Sequence, residues 1–115
     1  KSIWSINKII KEIKKIENDL GREPVLGLLG ITFKPNVDDL RESPALLIAS
    51  EISKKINEVY ICEPNLVNHP FLKLKDLNFV LDKSDLIVIL VAHDEFKKLV
   101  INKNKLDLCG ALSEF

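Results

Sequence analysis

Two short, nearly uninterrupted apolar runs constrain this 115-residue chain more than anything else in it. They are "PVLGLLGITF", Pro24 to Phe33, and "DLIVILVA", Asp85 to Ala92. A strand with one wet face alternates apolar and polar residues. A strand apolar at nearly every position is buried on both faces, as in a parallel sheet covered by helices. "EVYICEP" reads as a further strand, "NFVL" as a weak third one, and "KLDLCGAL" as a last strand with a terminal loop. Helical periodicity surrounds them. "SIWSINKIIKEIKKIENDLG" carries Ile3, Ile6, Ile9, Ile10, Ile13, Ile16 and Leu20 at helical spacing, with Gly21 just past the end. Ser43 suits an N-cap and Pro44 the first helical position, with Ala45, Ile48, Ala49, Ile52 and Ile56 on one face. "HDEFKKLV" starts a short helix capped by Asp94 or His93, and "PFLKLKDL" is a short helix or an irregular connection.

Strands alternating with helical segments predict an α/β fold. The expectation is a Rossmann-like three-layer domain with a mostly parallel sheet, joined by right-handed crossovers and preceded by a long N-terminal helix. That helix needs a surface for its isoleucine stripe. Either it packs on this domain or it belongs against a part of a longer protein, and a start at Lys1 rather than methionine hints at the latter.

Length allows one domain with a real core. Apolar residues make up 46% and charged residues 30%, the balance of a soluble globular protein. Seventeen basic side chains offset seventeen acidic ones, so electrostatics gives no reason to expect nucleic acid or an anionic membrane as partner. No apolar run approaches the ~18 residues that span a bilayer, and the start is not a signal peptide. Cys62 and Cys109 stand alone in apolar runs without metal-ligand spacing, which predicts free thiols of a cytosolic protein rather than a disulfide.

Chemistry concentrates between the first strand and the next helix, in "GITFKPNVDDLRESPALLIA". Ligands of open parallel sheets bind beyond the carboxyl ends of the strands, where this segment lies. Gly27 and Gly30 resemble a phosphate turn, but their spacing is not G-x-G-x-x-G. The acidic residue expected about twenty positions on is unmatched, Glu63 lying farther along. For Gly27, close packing of strand on helix is the better reading. Lys34 can project its ammonium into the crevice, and Arg41 offers a planar fork for phosphate or carboxylate. Equally, Arg41 can pair with Asp38, Asp39 or Glu42 and simply close the loop. Asp38 and Asp39 suit turn and cap roles better than a magnesium site. His93 shares an edge with Lys34, although a histidine at a helix start is more often a capping or packing residue, and His69 has no visible partner. No catalytic constellation and no metal site can be assembled, so the chain is equipped to bind rather than to react.

"GITFKPNVDDLRESPA" resembles the signature of the C-terminal, nucleotide-binding domain of the UDP-glucose/GDP-mannose dehydrogenase family. With "ICEPNL" and "LIVILVAHDEF" it is most similar to the UDP-N-acetyl-D-mannosamine branch, UDP-glucose and GDP-mannose enzymes being the alternatives. The resemblance runs from about Pro24 onward. It implies that residues 1–21 are the end of a helix joining two Rossmann-like halves and that residues 22–115 form a UDP-binding domain. It implies an NAD-dependent enzyme of polysaccharide biosynthesis in the cytoplasm, a homodimer when intact, oxidising the sugar C6 alcohol to a carboxylate. The NAD domain and catalytic cysteine lie outside this sequence, so the fragment alone is expected to be inactive and to bind UDP weakly. By motif position Phe33 and Lys34 contact the nucleotide sugar and Arg41 reaches towards NAD. Glu42 and Ser43 fix the loop and cap the helix. Where relatives carry a "VDxRG"-like segment this chain has "LDLCG", with Cys109 at the arginine position. Two other classes stand beside this one. A signalling receiver would use Asp38 and Asp39 as its acidic pair, and an assembly module would use the isoleucine-rich helix.

Overall fold

The computed structural model describes residues 2–112. Four strands form one all-parallel sheet in the order β2-β1-β3-β4, with β1 Leu26–Leu29, β2 Val59–Cys62, β3 Leu86–Ile89 and β4 Asn104–Asp107. The register is level, Leu29 pairing with Cys62 on one side and Ile89 on the other, and Ile89 with Asp107. All four strands therefore end along one edge. β1 and β3, the two apolar runs, are buried at every position in the middle of the sheet.

Helices cover both faces. On one, α1 (Ser2–Leu20) and α2 (Pro44–Lys55) join Leu26, Leu28, Ile61 and Val88 in a single core. Ile9, Ile13 and Ile16 of α1 lie inside that core, so the stripe packs on this domain. Each such isoleucine contributes about 2 kcal/mol by burial. Ile3 and Trp4 remain outside, 75% and 61% exposed. Gly21, at φ 73°, ends α1 in the left-handed region that glycine adopts without strain. On the other face, α3 (Leu77–Lys83) and the single turn α4 (Asp94–Lys97) enclose Leu29, Ile87, Ile89, Val80 and Phe96. Gly27 is needed here, because a Cβ would collide with Ser84 Oγ and come within 2.7 Å of Val80 Cγ1. Close strand–helix packing is the role expected of it.

One element differs from expectation. "NFVL" is not a strand but the body of α3. Asp76 accepts from the Phe79 amide at 2.8 Å and starts the helix, and Leu77, Val80 and Leu81 face the sheet. Three consecutive apolar residues cannot distinguish the two periods, and the cap decides. "PFLKLKDL" is irregular, joined to β2 by one bridge from Leu74 to Ile61. His69 finds a partner after all, its Nδ1 accepting from the Phe71 and Leu72 amides.

Candidate functional site

The carboxyl edge of the sheet carries four loops, beginning at Gly30, Glu63, Leu90 and Leu108. Gly30 turns the chain sharply at φ 93°, and a Cβ there would meet Val91 Cβ at 2.7 Å. The loop then runs out to Arg41 and returns to Ser43. Ser43 does two things at once, its hydroxyl donating to the Ile31 carbonyl at 2.8 Å and accepting from the Leu46 amide at 3.1 Å. It caps α2 while fastening the loop to the strand end, as the sequence indicated. Asn36 and Glu42 both sit at positive φ, 63° and 55°. Asparagine tolerates that region, whereas glutamate stores strain there.

Beneath the loop lies a buried polar network that sequence reasoning missed. Glu63, 4% exposed, accepts from the Ile31 amide at 2.8 Å and from His93 Nε2 at 2.9 Å through Oε1. Its Oε2 accepts from the Asn65 amide at 3.0 Å. Burial opposes ionisation of Glu63, but the donors from His93, Ile31 and Asn65 outweigh it and hold the carboxyl below its ordinary range. His93 is fully buried, and its Nδ1 accepts from the Asn36 amide at 2.8 Å. It occupies the cap position of α4 without a side-chain cap bond. The Asp94 amide donates instead to Asn36 Oδ1 at 3.0 Å. The available signal was positional, since Glu63 and His93 each directly follow a buried strand run at this edge.

Two cavities open beside the network. The larger, about 400 Å³, lies between the loop, the N-terminal ends of α1 and α2, and the ends of β3 and β4. Thr32, Phe33, Lys34, Val91, Ala92 and Cys109 line it, together with Ala45 and Ile48, and among the described residues no carboxylate does. Phe33 is 52% exposed, leaving an aromatic face in the cleft. Among the described residues the Lys34 ammonium forms no ion pair. Cys109 is placed by Asp107, whose carboxylate accepts from the amides of Cys109, Ala111 and Leu112 at 2.8 to 3.2 Å. The smaller cavity, about 330 Å³, lies between β2, α3 and α4 and presents Asp76 and Glu95 beside Lys75. A diphosphate favours the first over the second on charge alone.

Arg41 lines neither cavity. Its Nε and Nη2 donate to the two oxygens of Asp39 at 3.1 and 2.9 Å, the local pair that was the alternative for it. The guanidinium holds the Asp39 carboxyl down to about 2. Asp39 thus faces Arg41 while Glu63 faces His93, so the acidic pocket of a signalling receiver is not formed. Nor do the residues present make a dinucleotide cradle. Gly27 faces α3, Gly30 faces Val91, and Glu63, at the strand end where a ribose-binding acid would stand, has both oxygens occupied. Burial pushes both free thiols up to about 12, helped by Glu63 at Cys62 and by Asp107 at Cys109. Neither is a nucleophile near neutrality.

Residues 27–111 match the model of the UDP-glucose/GDP-mannose dehydrogenase family, UDP binding domain. The chain belongs to this family. It is 38% identical over 106 residues to a UDP-N-acetyl-D-mannosamine dehydrogenase of Campylobacter jejuni, covering 84% of this chain and 26% of that protein. It is 35% identical over 83 residues to an NDP-N-acetyl-D-galactosaminuronic acid dehydrogenase of Ralstonia nicotianae, covering 68% and 20%. A solved UDP-N-acetyl-mannosamine dehydrogenase of S. aureus shares the fold with a TM-score of 0.80 at 24% identity, over 99% of this chain and 28% of that one. The chain therefore spans about a quarter of the length of these relatives. Among the described residues no helix is long and apolar enough to cross a membrane.

Proposed function

We propose that this chain supplies the nucleotide-sugar half of the cleft in an NAD-dependent 6-dehydrogenase. The substrate is UDP-N-acetyl-D-mannosamine, oxidised to the uronate for polysaccharide biosynthesis in the cytoplasm. One observation carries the reading: among the described residues the larger cavity presents an ammonium without an ion pair and an exposed aromatic ring, with no carboxylate in its wall. Lys34 neutralises the diphosphate, Phe33 offers a face to the uracil or ribose, and the Thr32–Lys34 backbone orients them.

NAD, bound mainly by the other half of the enzyme, supplies the hydride acceptor. From this side Arg41 would be the residue that reaches towards it. Asp39 holds one edge of the guanidinium and leaves Nη1 without a partner among the described residues. Residues 1–21 form the end of the helix that joins the halves, and residues 22–115 form the UDP-binding domain. The exposed Ile3 and Trp4 then lie where the other half, or the second subunit of a homodimer, would cover them.

Calorimetry with UDP tests this directly. The 115-residue chain binds UDP weakly, having half of the cleft, and Lys34→Ala weakens binding about tenfold or more through loss of a charge-assisted contact. Unchanged affinity in Lys34→Ala contradicts the role given to Lys34.

A further inference from the structure

Phe33 and Lys34 lie between two anchors, and both anchors belong to the buried network. On one side the Ile31 amide is held by Glu63, and on the other the Asn36 amide is held by His93 Nδ1. Thr32 strengthens the span from within, its hydroxyl donating to the Lys34 carbonyl at 3.0 Å and lying 3.3 Å from His93 Nε2. Asn36 returns the contact across the gap through Oδ1 and the Asp94 amide. A backbone N–H can only donate, so Nδ1 of His93 carries the lone pair and Nε2 carries the proton that points at Glu63. The ring thus bridges two jobs with two different atoms: Nε2 to the carboxylate and Nδ1 to the loop.

We infer that His93 is a positioning residue for the nucleotide sugar, setting affinity through the Nδ1 tether that holds the Phe33–Lys34 segment in its binding geometry. The inference rests on the function proposed above. His93 lines neither cavity and needs no contact with the ligand. Its effect is to remove the ordering that a free loop would otherwise undergo on binding. Asn36 sits in the left-handed region with its amide on Nδ1, so losing that acceptor leaves the turn held only from outside the ring, by Asn36 Oδ1 on the Asp94 amide and by the Phe33 amide on the Asp39 carbonyl.

The two nitrogens can be tested separately. In His93→Asn the side-chain oxygen stands where Nδ1 does and keeps the Asn36 bond while losing the donor to Glu63. In His93→Gln the amide reaches to the Nε2 position, keeping the bond to Glu63 while losing the tether. Both lose the ring packed on Phe96, so a purely structural role predicts similar defects in both. The tether predicts a split, read by titrating UDP into the isotope-labelled chain. His93→Asn stays within about twofold of the unaltered chain. His93→Gln binds about tenfold more weakly, and its Asn36 amide exchanges faster.

Equal affinities in the two variants, with normal binding by the unaltered chain, overturn the inference and leave the proposed function standing. No UDP binding by the unaltered chain removes the proposed function and the affinity effect together. Should a variant fail to fold, the imidazole nitrogen shifts of the unaltered chain decide, since a ring protonated at Nδ1 has no tether to offer.

Discussion

The loop between β1 and α2 is fastened at its inner end by Glu63 and His93 and at its outer end by Asp39 and Arg41. Both fastenings use a carboxylate with nitrogen donors at hydrogen-bonding distance, 2.9 Å inside and 2.9 to 3.1 Å outside. Burial separates them. The inner carboxylate has lost its water and depends wholly on its protein partners, whereas the Arg41 side chain is 88% exposed and trades its partner for solvent. The same chemical motif therefore constrains the chain at one end and merely decorates it at the other. A cation that must be ready for a ligand is better served by the second arrangement.

The largest expected effect comes from breaking the inner pair. Glu63→Ala leaves the buried Ile31 amide without a partner and His93 Nε2 with only the Thr32 hydroxyl at 3.3 Å, and lowers stability by about 3 kcal/mol, read as a shift in urea midpoint. Acid probes the same group without mutation. Glu63 and Asp107 both titrate below their ordinary values when folded. Their contribution is full above the unfolded range, near pH 4.5 for Glu63, and is lost as pH falls through the lower folded values. The stability–pH curve of Glu63→Gln should therefore be flatter below about pH 4.5 than that of the unaltered chain.

A smaller effect concerns the cavity wall. Cys109→Arg places a guanidinium in the wall of the cavity that Lys34 lines, and tightens UDP binding about tenfold by calorimetry. Asp39→Asn, at the outer fastening, leaves the urea midpoint within experimental error, and a clear loss there would erase the contrast between the two ends. The remaining change is a small gain. Glu42→Gly relieves the left-handed strain, offset in part by unfolded-state entropy, and raises stability by about 0.5 kcal/mol.

Much of the scaffold was readable because its signals are local. The isoleucine stripe of α1, the Ser43–Pro44 start of α2 and the unbroken runs of β1 and β3 each announce themselves within one element. "NFVL" was misread because its β-prone residues outweighed a cap lying outside the four letters, at Asp76. The loop with Phe33, Lys34 and Arg41 was legible through its unusual charge and punctuation. What it hangs from was not. Glu63 and His93 are thirty positions apart and meet only because parallel strands end on one edge. Counting along the chain puts Glu63 too far on for a ribose-binding acid, whereas its place at the end of β2 is what brings it to His93.

Amide chemical-shift changes on adding UDP to the isotope-labelled chain test the central claim most directly. Shifts concentrated at Thr32, Phe33, Lys34, Val91, Ala92 and Cys109 are the predicted result. Shifts concentrated instead at Asp76, Leu77 and Glu95, around the acidic cavity on the far side of the network, would contradict it.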